Sequence, residues 1–139
     1  TGARQAMELP VFHQGKKKLE FIELGIEHRM RENQYQQIIR QIPFKRRTAV
    51  FFTSDALAME ATSYLAAHGI KVPQDLGVAG FDNSVNAVNF SIPPLTTISQ
   101  DMRLKGQVAV QELVKAIRDP SYQPQSHRLP VKLVVRQSV

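Results

Sequence analysis

The chain has 139 residues, the size of one ordinary domain, with 42% hydrophobic residues, 22% charged residues and no cysteine. That composition excludes collagen, a disordered tract and a disulfide or thiolate framework, and no apolar run reaches the roughly 18–20 residues of a membrane span. The unusual quantity is charge: 18 Lys+Arg against 12 Asp+Glu leave +6, which raises the question of nucleic acid.

The excess sits early, with ten of the 18 basic and five of the 12 acidic side chains in residues 1–47. Lys16-Lys17-Lys18 and Lys45-Arg46-Arg47 carry most of it, each between a turn residue and an apolar run. Neither triplet is interleaved with the aromatics and glycines of a base-stacking module, so both read as loop charges. The opening Thr1-Gly2-Ala3-Arg4 has no initiator Met and no signal-peptide pattern, and reads as cut from something longer. Residues 3–8 suit the end of a helix, and Leu19–Leu24 partly alternates as a short strand before Gly25. From Glu27 to Ile42, the residues Tyr35, Ile38, Ile39 and Ile42 fall at helical spacing, and Pro43 closes the helix.

Thr48–Thr53 is a short apolar run that predicts a buried parallel strand. Ser54 or Asp55 can cap the next helix, whose apolar face includes Leu57, Ala58, Ala61 and Leu65. Gly69 suits its C′ position, and Pro73 prevents continuation. Leu76–Phe81 predicts a second buried strand, completing a right-handed βαβ unit. A loop follows from Asp82 to Pro93, then a short run at Leu95–Ser99. Asp101 caps a long helix to Arg118 with Leu104, Val108, Leu113, Val114 and Ile117 on one side. Residues 120–128 read as loop, and Leu129–Arg136 as a closing strand.

In an open α/β sheet, ligands bind outside the carboxyl ends of the strands. Both clear strands carry acidic residues there: Ser54-Asp55 after the first, Asp82-Asn83 after the second. Such a carboxylate can accept hydrogen bonds from hydroxyls or an amino group, and Phe81 offers a face to a ring, sugar or base. The same positions also favour helix caps and turns: Asp82 suits either role alike, while Asp55 suits the cap better than the ligand contact. The histidines lack ligand spacing, and no nucleophile elbow, P-loop or dinucleotide fingerprint occurs. No metal, no cofactor and no enzyme activity are therefore expected.

The segments Ser54-Asp55-Ala56-Leu57-Ala58, His68–Asn83, Pro93–Gln100, Lys105-Gly106 and Leu129–Ser138 closely resemble, in order, the LacI/GalR family of bacterial transcription regulators. The resemblance covers residues 48–139 and implies a periplasmic-binding-protein-like, flavodoxin-like α/β subdomain with a parallel sheet, here truncated. It implies that residues 1–94 form the C-terminal effector-binding subdomain without its first strand. Residues 95–126 would cross to the N-terminal subdomain, and residues 127–139 would return. Carried over by position, Ser54, Asp55, Phe81, Asp82 and Gln100 face the effector, while Met59 and Phe90 lie at a homodimer interface. Asn83 stands where the family often has a second Asp, and Glu60 where it often has Gly.

Hydroxyl-rich ligands suit Asp82 and Asp55 beside Phe81, so a carbohydrate is the expected small-molecule effector. The expected whole is a cytoplasmic repressor with no membrane contact, which meets operator DNA only through a helix-turn-helix absent from this chain. A solute-binding protein of a sugar transporter has the same fold and is the alternative. A small α/β enzyme stands third.

Overall fold

The computed structural model describes residues 28–41 and 48–139. The expected helix end at residues 3–8, the strand at Leu19–Leu24 and both basic triplets lie outside the described residues. The chain divides into two compact units, residues 1–34 and 35–139. The described part of the first is the beginning of helix α1 (His28–Gln41), which forms as its periodicity predicts.

Residues 35–139 are built on a four-stranded sheet in the order β1 (Ala49–Phe51), β2 (Gly77–Asp82), β3 (Thr96–Gln100), β4 (Val131–Val134). The first three strands are parallel and β4 is antiparallel to β3. The parallel βαβ unit is present, with helix α2 (Asp55–Ala67) as its crossover. The Ser54 side chain accepts the Ala56 N–H at 3.2 Å and so caps α2. At the other end Gly69, at φ +79°, permits a Schellman turn: Ile70 N–H donates to Leu65 O and Gly69 N–H to Ala66 O, both at 3.0 Å. Leu65 and Ile70 are both buried there.

The core lies between α2 and the sheet. Ala58, Ala61 and Leu65 on the helix and Leu76, Val78 and Leu95 around the strands are all buried. Tyr35 is buried too, edge-on to Phe52 with ring centroids 6.4 Å apart and 5.4 Å from the Tyr64 ring. Burying each large apolar side chain contributes about 1.5–3 kcal/mol.

Four features depart from the sequence reading. The strand expected to be buried at residues 48–53 is short and, among the described residues, sits at the sheet edge, with Ala49 and Phe51 exposed. An apolar run reports hydrophobicity and not whether a neighbour covers it. Within the expected loop, Ser84 caps a five-residue helix, α3 (Val85–Asn89), by accepting the Ala87 N–H at 3.3 Å. The closing strand is shorter than Leu129–Arg136, and Ser138 beyond it is buried. Its Oγ donates to Val78 O at 2.6 Å and accepts the Thr96 N–H at 2.7 Å, joining β2 to β3. Finally, helix α4 (Met102–Arg118), capped as predicted by Asp101 at 2.8 Å from Leu104 N, has no buried residue. Val110, Leu113, Val114 and Ile117 form an exposed stripe along it at i, i+3, i+4, i+7.

Candidate functional site

The parallel register aligns Phe81 with Ile98 and Asp82 with Ser99, so β2 and β3 end together. At that shared carboxyl edge Gln100 Nε2 donates to Asp82 Oδ1 at 2.7 Å. Gln100 Oε1 in turn accepts from Lys105 Nζ at 3.3 Å, on the first turn of α4. Asp82 Oδ2 has no hydrogen-bond partner among the described residues and remains open to a donor. Phe81 and Ser54 are half-buried beside this edge, at the ends of β2 and of the β1–α2 loop. Ser54 Oγ accepts at its helix cap, which leaves its hydroxyl hydrogen free to donate.

Asp82 adopts φ +115° and Asn83 φ +52°. At φ +115° Asp82 is held by surrounding contacts at roughly 1–3 kcal/mol, whereas Asn is among the non-glycine residues that most readily adopt an angle such as +52°. Those contacts are present. Asn83 N–H donates to Thr97 Oγ1 at 3.3 Å, its Nδ2 to Ser99 Oγ at 3.4 Å, and the next amide, Ser84 N–H, to Asp55 Oδ2 at 2.6 Å.

Asp55 does not share the exposure of the other four residues expected to face an effector. It is 1% exposed, and its two oxygens are taken by the Thr97 hydroxyl at 2.5 Å and the Ser84 N–H. The helix-start position that suggested a ligand or a cap instead turns this carboxylate into the sheet. The cap is Ser54. Gly80 makes room for it: a Cβ there would overlap Asp55 Oδ1 and stand 3.0 Å from Leu95 Cδ2.

The edge therefore combines an outward carboxylate, an amide, a hydroxyl and an aromatic face. That set can bind a ring bearing hydroxyl or amino groups. The sequence matches the family described as Periplasmic binding protein-like domain over residues 11–139. This chain belongs to that family. Periplasmic-binding-protein-like relatives narrow the placement. An HTH-type transcriptional repressor PurR from Aliivibrio fischeri is 39% identical over 95 residues, covering 68% of this chain and 28% of that protein. The chain thus spans less than a third of the curated relatives it matches.

Two solved structures agree. A Lac repressor dimer bound to operator and the anti-inducer ONPF is 32% identical, with a TM-score of 0.63 over 76% of this chain and 36% of that one. A transcriptional regulator CelR–cellobiose complex is 26% identical, with a TM-score of 0.76 over 99% of this chain and 41% of that one. Within the periplasmic-binding-protein-like family, the chain sides with LacI-type transcription regulators, over their effector-binding core.

The site of this periplasmic-binding-protein-like domain has members that the sequence reading missed. Thr97 links Asp55 to Asn83, Lys105 supports Gln100, and Arg136 reaches Asn83 Oδ1 at 2.6 Å. Thr97 and Arg136 meet partners 14 to 53 residues away, so no spacing signal marked them, while Lys105 is only five residues from Gln100. Met59 is half-buried on α2, whereas Phe90, after α3, is 70% exposed.

Proposed function

We propose that this chain is the effector-sensing part of a LacI/GalR-type repressor, and that Asp82 and Gln100 bind the effector, with Ser54 donating and Phe81 stacking. The observation that carries this is the Gln100–Asp82 pair at the shared strand edge, which engages Oδ1 and leaves Asp82 Oδ2 without a partner among the described residues. A carbohydrate fits best: vicinal hydroxyls can donate to Asp82 and accept from Gln100 and Ser54 while a sugar face lies on Phe81. The CelR relative bound to cellobiose supports the same class.

In this reading residues 95–126 carry the chain to a second lobe, against which the exposed stripe of α4 packs. Effector held between the lobes shifts the population between DNA-competent and incompetent forms, by as much as its affinities for the two differ. Operator contact belongs to a helix-turn-helix outside this sequence. The homodimer forms across α2 and α3, where Val85, Phe90 and Ile92 leave apolar surface in water and Met59 is half-buried. Repressors among the curated relatives support a regulator over a transporter's binding protein.

The test is calorimetry on the gene's full-length product with cellobiose, other mono- and disaccharides, and purine and pyrimidine bases. Saturable binding of a sugar that Asp82→Ala abolishes, with the melting temperature kept, is the expected result. Binding of a base with none of the sugars overturns the carbohydrate assignment, and unchanged affinity in Asp82→Ala overturns the site.

A further inference from the structure

Arg136 lies two residues past β4 and 53 residues from Asn83 in sequence, yet its guanidinium ends on that residue. Nη2 donates to Asn83 Oδ1 and Nη1 to the Leu95 carbonyl, each at 2.6 Å. The Arg136 backbone N–H donates to Thr96 Oγ1 at 2.9 Å, which fixes the root of the side chain on β3. A rigid planar fork anchored at both of its ends defines where the Asn83 amide must lie. The other two contacts of Asn83, at 3.3 and 3.4 Å, are longer and join neutral groups. The Arg136 bond is charge-assisted and the shortest of the three.

The residue it grips sits at φ +52°, directly after Asp82 at φ +115°. Asn tolerates the left-handed region better than most residues, so the strained member of the pair is Asp82, beyond that region. Releasing Asn83 lets the turn relax, and the Asp82 carboxylate then leaves the direction in which Gln100 meets it.

We propose that Arg136 is a positioning residue for the effector site: by clamping Asn83 in the left-handed region, it aims the Asp82 carboxylate at the ligand. The proposal rests on Asp82 being an effector contact. It gives the segment after β4 a task beyond closing the sheet, and it assigns Asn83 a role that needs an acceptor oxygen rather than a charge.

The test uses the full-length product with Arg136→Gln, Arg136→Lys, Asn83→Ala, Asn83→Asp and the Arg136→Gln/Asn83→Ala double variant. Cellobiose and a panel of pentoses and hexoses are titrated by calorimetry, and the Arg136→Gln crystal structure reports the turn directly. Arg136→Gln and Asn83→Ala should each weaken sugar binding about tenfold, and the double variant should be no weaker than either, because one contact is lost in all three. Asn83→Asp keeps the acceptor and should keep affinity. Arg136→Lys, with one ammonium in place of the fork, should fall between.

A purely structural arginine would lower the melting temperature and leave affinity and the turn unchanged, and that result overturns the proposal. So does a double variant whose losses add. If Arg136→Gln does not fold, Arg136→Lys and the Asn83 pair decide the matter. If the wild type binds none of the sugars, the carbohydrate reading fails by itself. The φ angles of Asp82 and Asn83 in the variant crystal then decide the clamp, and unchanged angles overturn it.

Discussion

Asp55 and Thr97, 42 residues apart in sequence, meet in a 2.5 Å hydrogen bond under the carboxyl edge of the sheet. Thr97 Oγ1 also accepts the Asn83 N–H, and the other Asp55 oxygen holds the Ser84 N–H. One buried carboxylate therefore ties the start of α2 to β3 and to the turn that carries Asp82. It braces the edge from below and does not itself face outward.

Removing that carboxylate leaves the Thr97 hydroxyl and the Ser84 amide without an acceptor. Asp55→Ala should cost roughly 3 kcal/mol of folding stability. Asp55→Asn should cost less than Asp55→Ala, since its oxygen can keep the Ser84 N–H while its NH2 donates to a Thr97 hydroxyl turned to accept. Urea denaturation of the full-length product measures both. A loss below about 0.5 kcal/mol in Asp55→Ala, the range of neutral surface changes, would sink the bracing role.

Two glycines should respond with opposite sign. At Gly80 a Cβ overlaps Asp55 Oδ1 and stands 3.2 Å from the Asp55 Cα, where backbone cannot yield cheaply. Gly80→Ala should destabilise by about 1–3 kcal/mol. At Gly106, inside α4, nothing lies within 4 Å of the added carbon. Gly106→Ala should stabilise by about 0.5–1 kcal/mol through helix propensity and a less free unfolded chain. Thermal melts of the two variants must move in opposite directions.

What was legible in the sequence was local. Ser54, Gly69 and Asp101 announce the helix ends, because a cap is decided within about four residues of itself. The βαβ pattern gave the parallel pairing of β1 with β2, but not the alignment of β3 with β2 that brings Gln100 to Asp82. Helix α3 escaped because five residues hold little more than one turn of periodicity. The orientation of Asp55 escaped because its partners are 29 and 42 residues away. Arg136 and Ser138 escaped for the same reason, with partners 53 and 60 residues distant.

Acid should release the segment after α4. Glu112 accepts from the Tyr122 hydroxyl at 2.6 Å, Lys115 Nζ at 2.9 Å and the Gln125 N–H at 3.2 Å. These donors, the Tyr122 hydroxyl foremost, lower its carboxyl from an ordinary 4.5 to about 2. A lowered carboxyl stabilises fully above its unfolded value and loses that contribution as pH falls toward its folded one. The docking of residues 120–127 on α4 should therefore weaken between about pH 4.5 and 2. Pepsin should cut near Tyr122 in Glu112→Gln faster than in wild type at pH 4, and the difference should vanish at pH 2. Equal rates at pH 4 would count against the anchoring role of Glu112.

The apolar surface at α3 gives a separate test of assembly. Phe90 is 70% exposed and Ile92 88%, more apolar exposure than a short loop needs. Phe90→Glu puts a charge into the proposed two-fold contact, where it would face its own copy. Sedimentation should show the wild-type product as a dimer and Phe90→Glu shifted to monomer by at least tenfold in dissociation constant. A dimer unaffected by Phe90→Glu places the interface elsewhere.

Asp82 should trade stability for binding. Its φ of +115° is strained for any residue with a Cβ and open to glycine. Asp82→Gly relieves that strain, roughly 1–3 kcal/mol, but returns some of the gain to the freer unfolded chain and forfeits the Gln100 bond. The net expectation is a product at least as stable as wild type, by up to about 1 kcal/mol. Sugar binding should nonetheless be lost, because the outward carboxylate has gone. A variant that melts well below wild type would mean the turn is not strained, since relief of strain is what keeps its stability up. One that still binds sugar would remove Asp82 from the site, because no other outward carboxylate stands at this strand edge among the described residues. Stability kept and binding lost, in the same protein, is the signature of a backbone held under strain to aim one side chain.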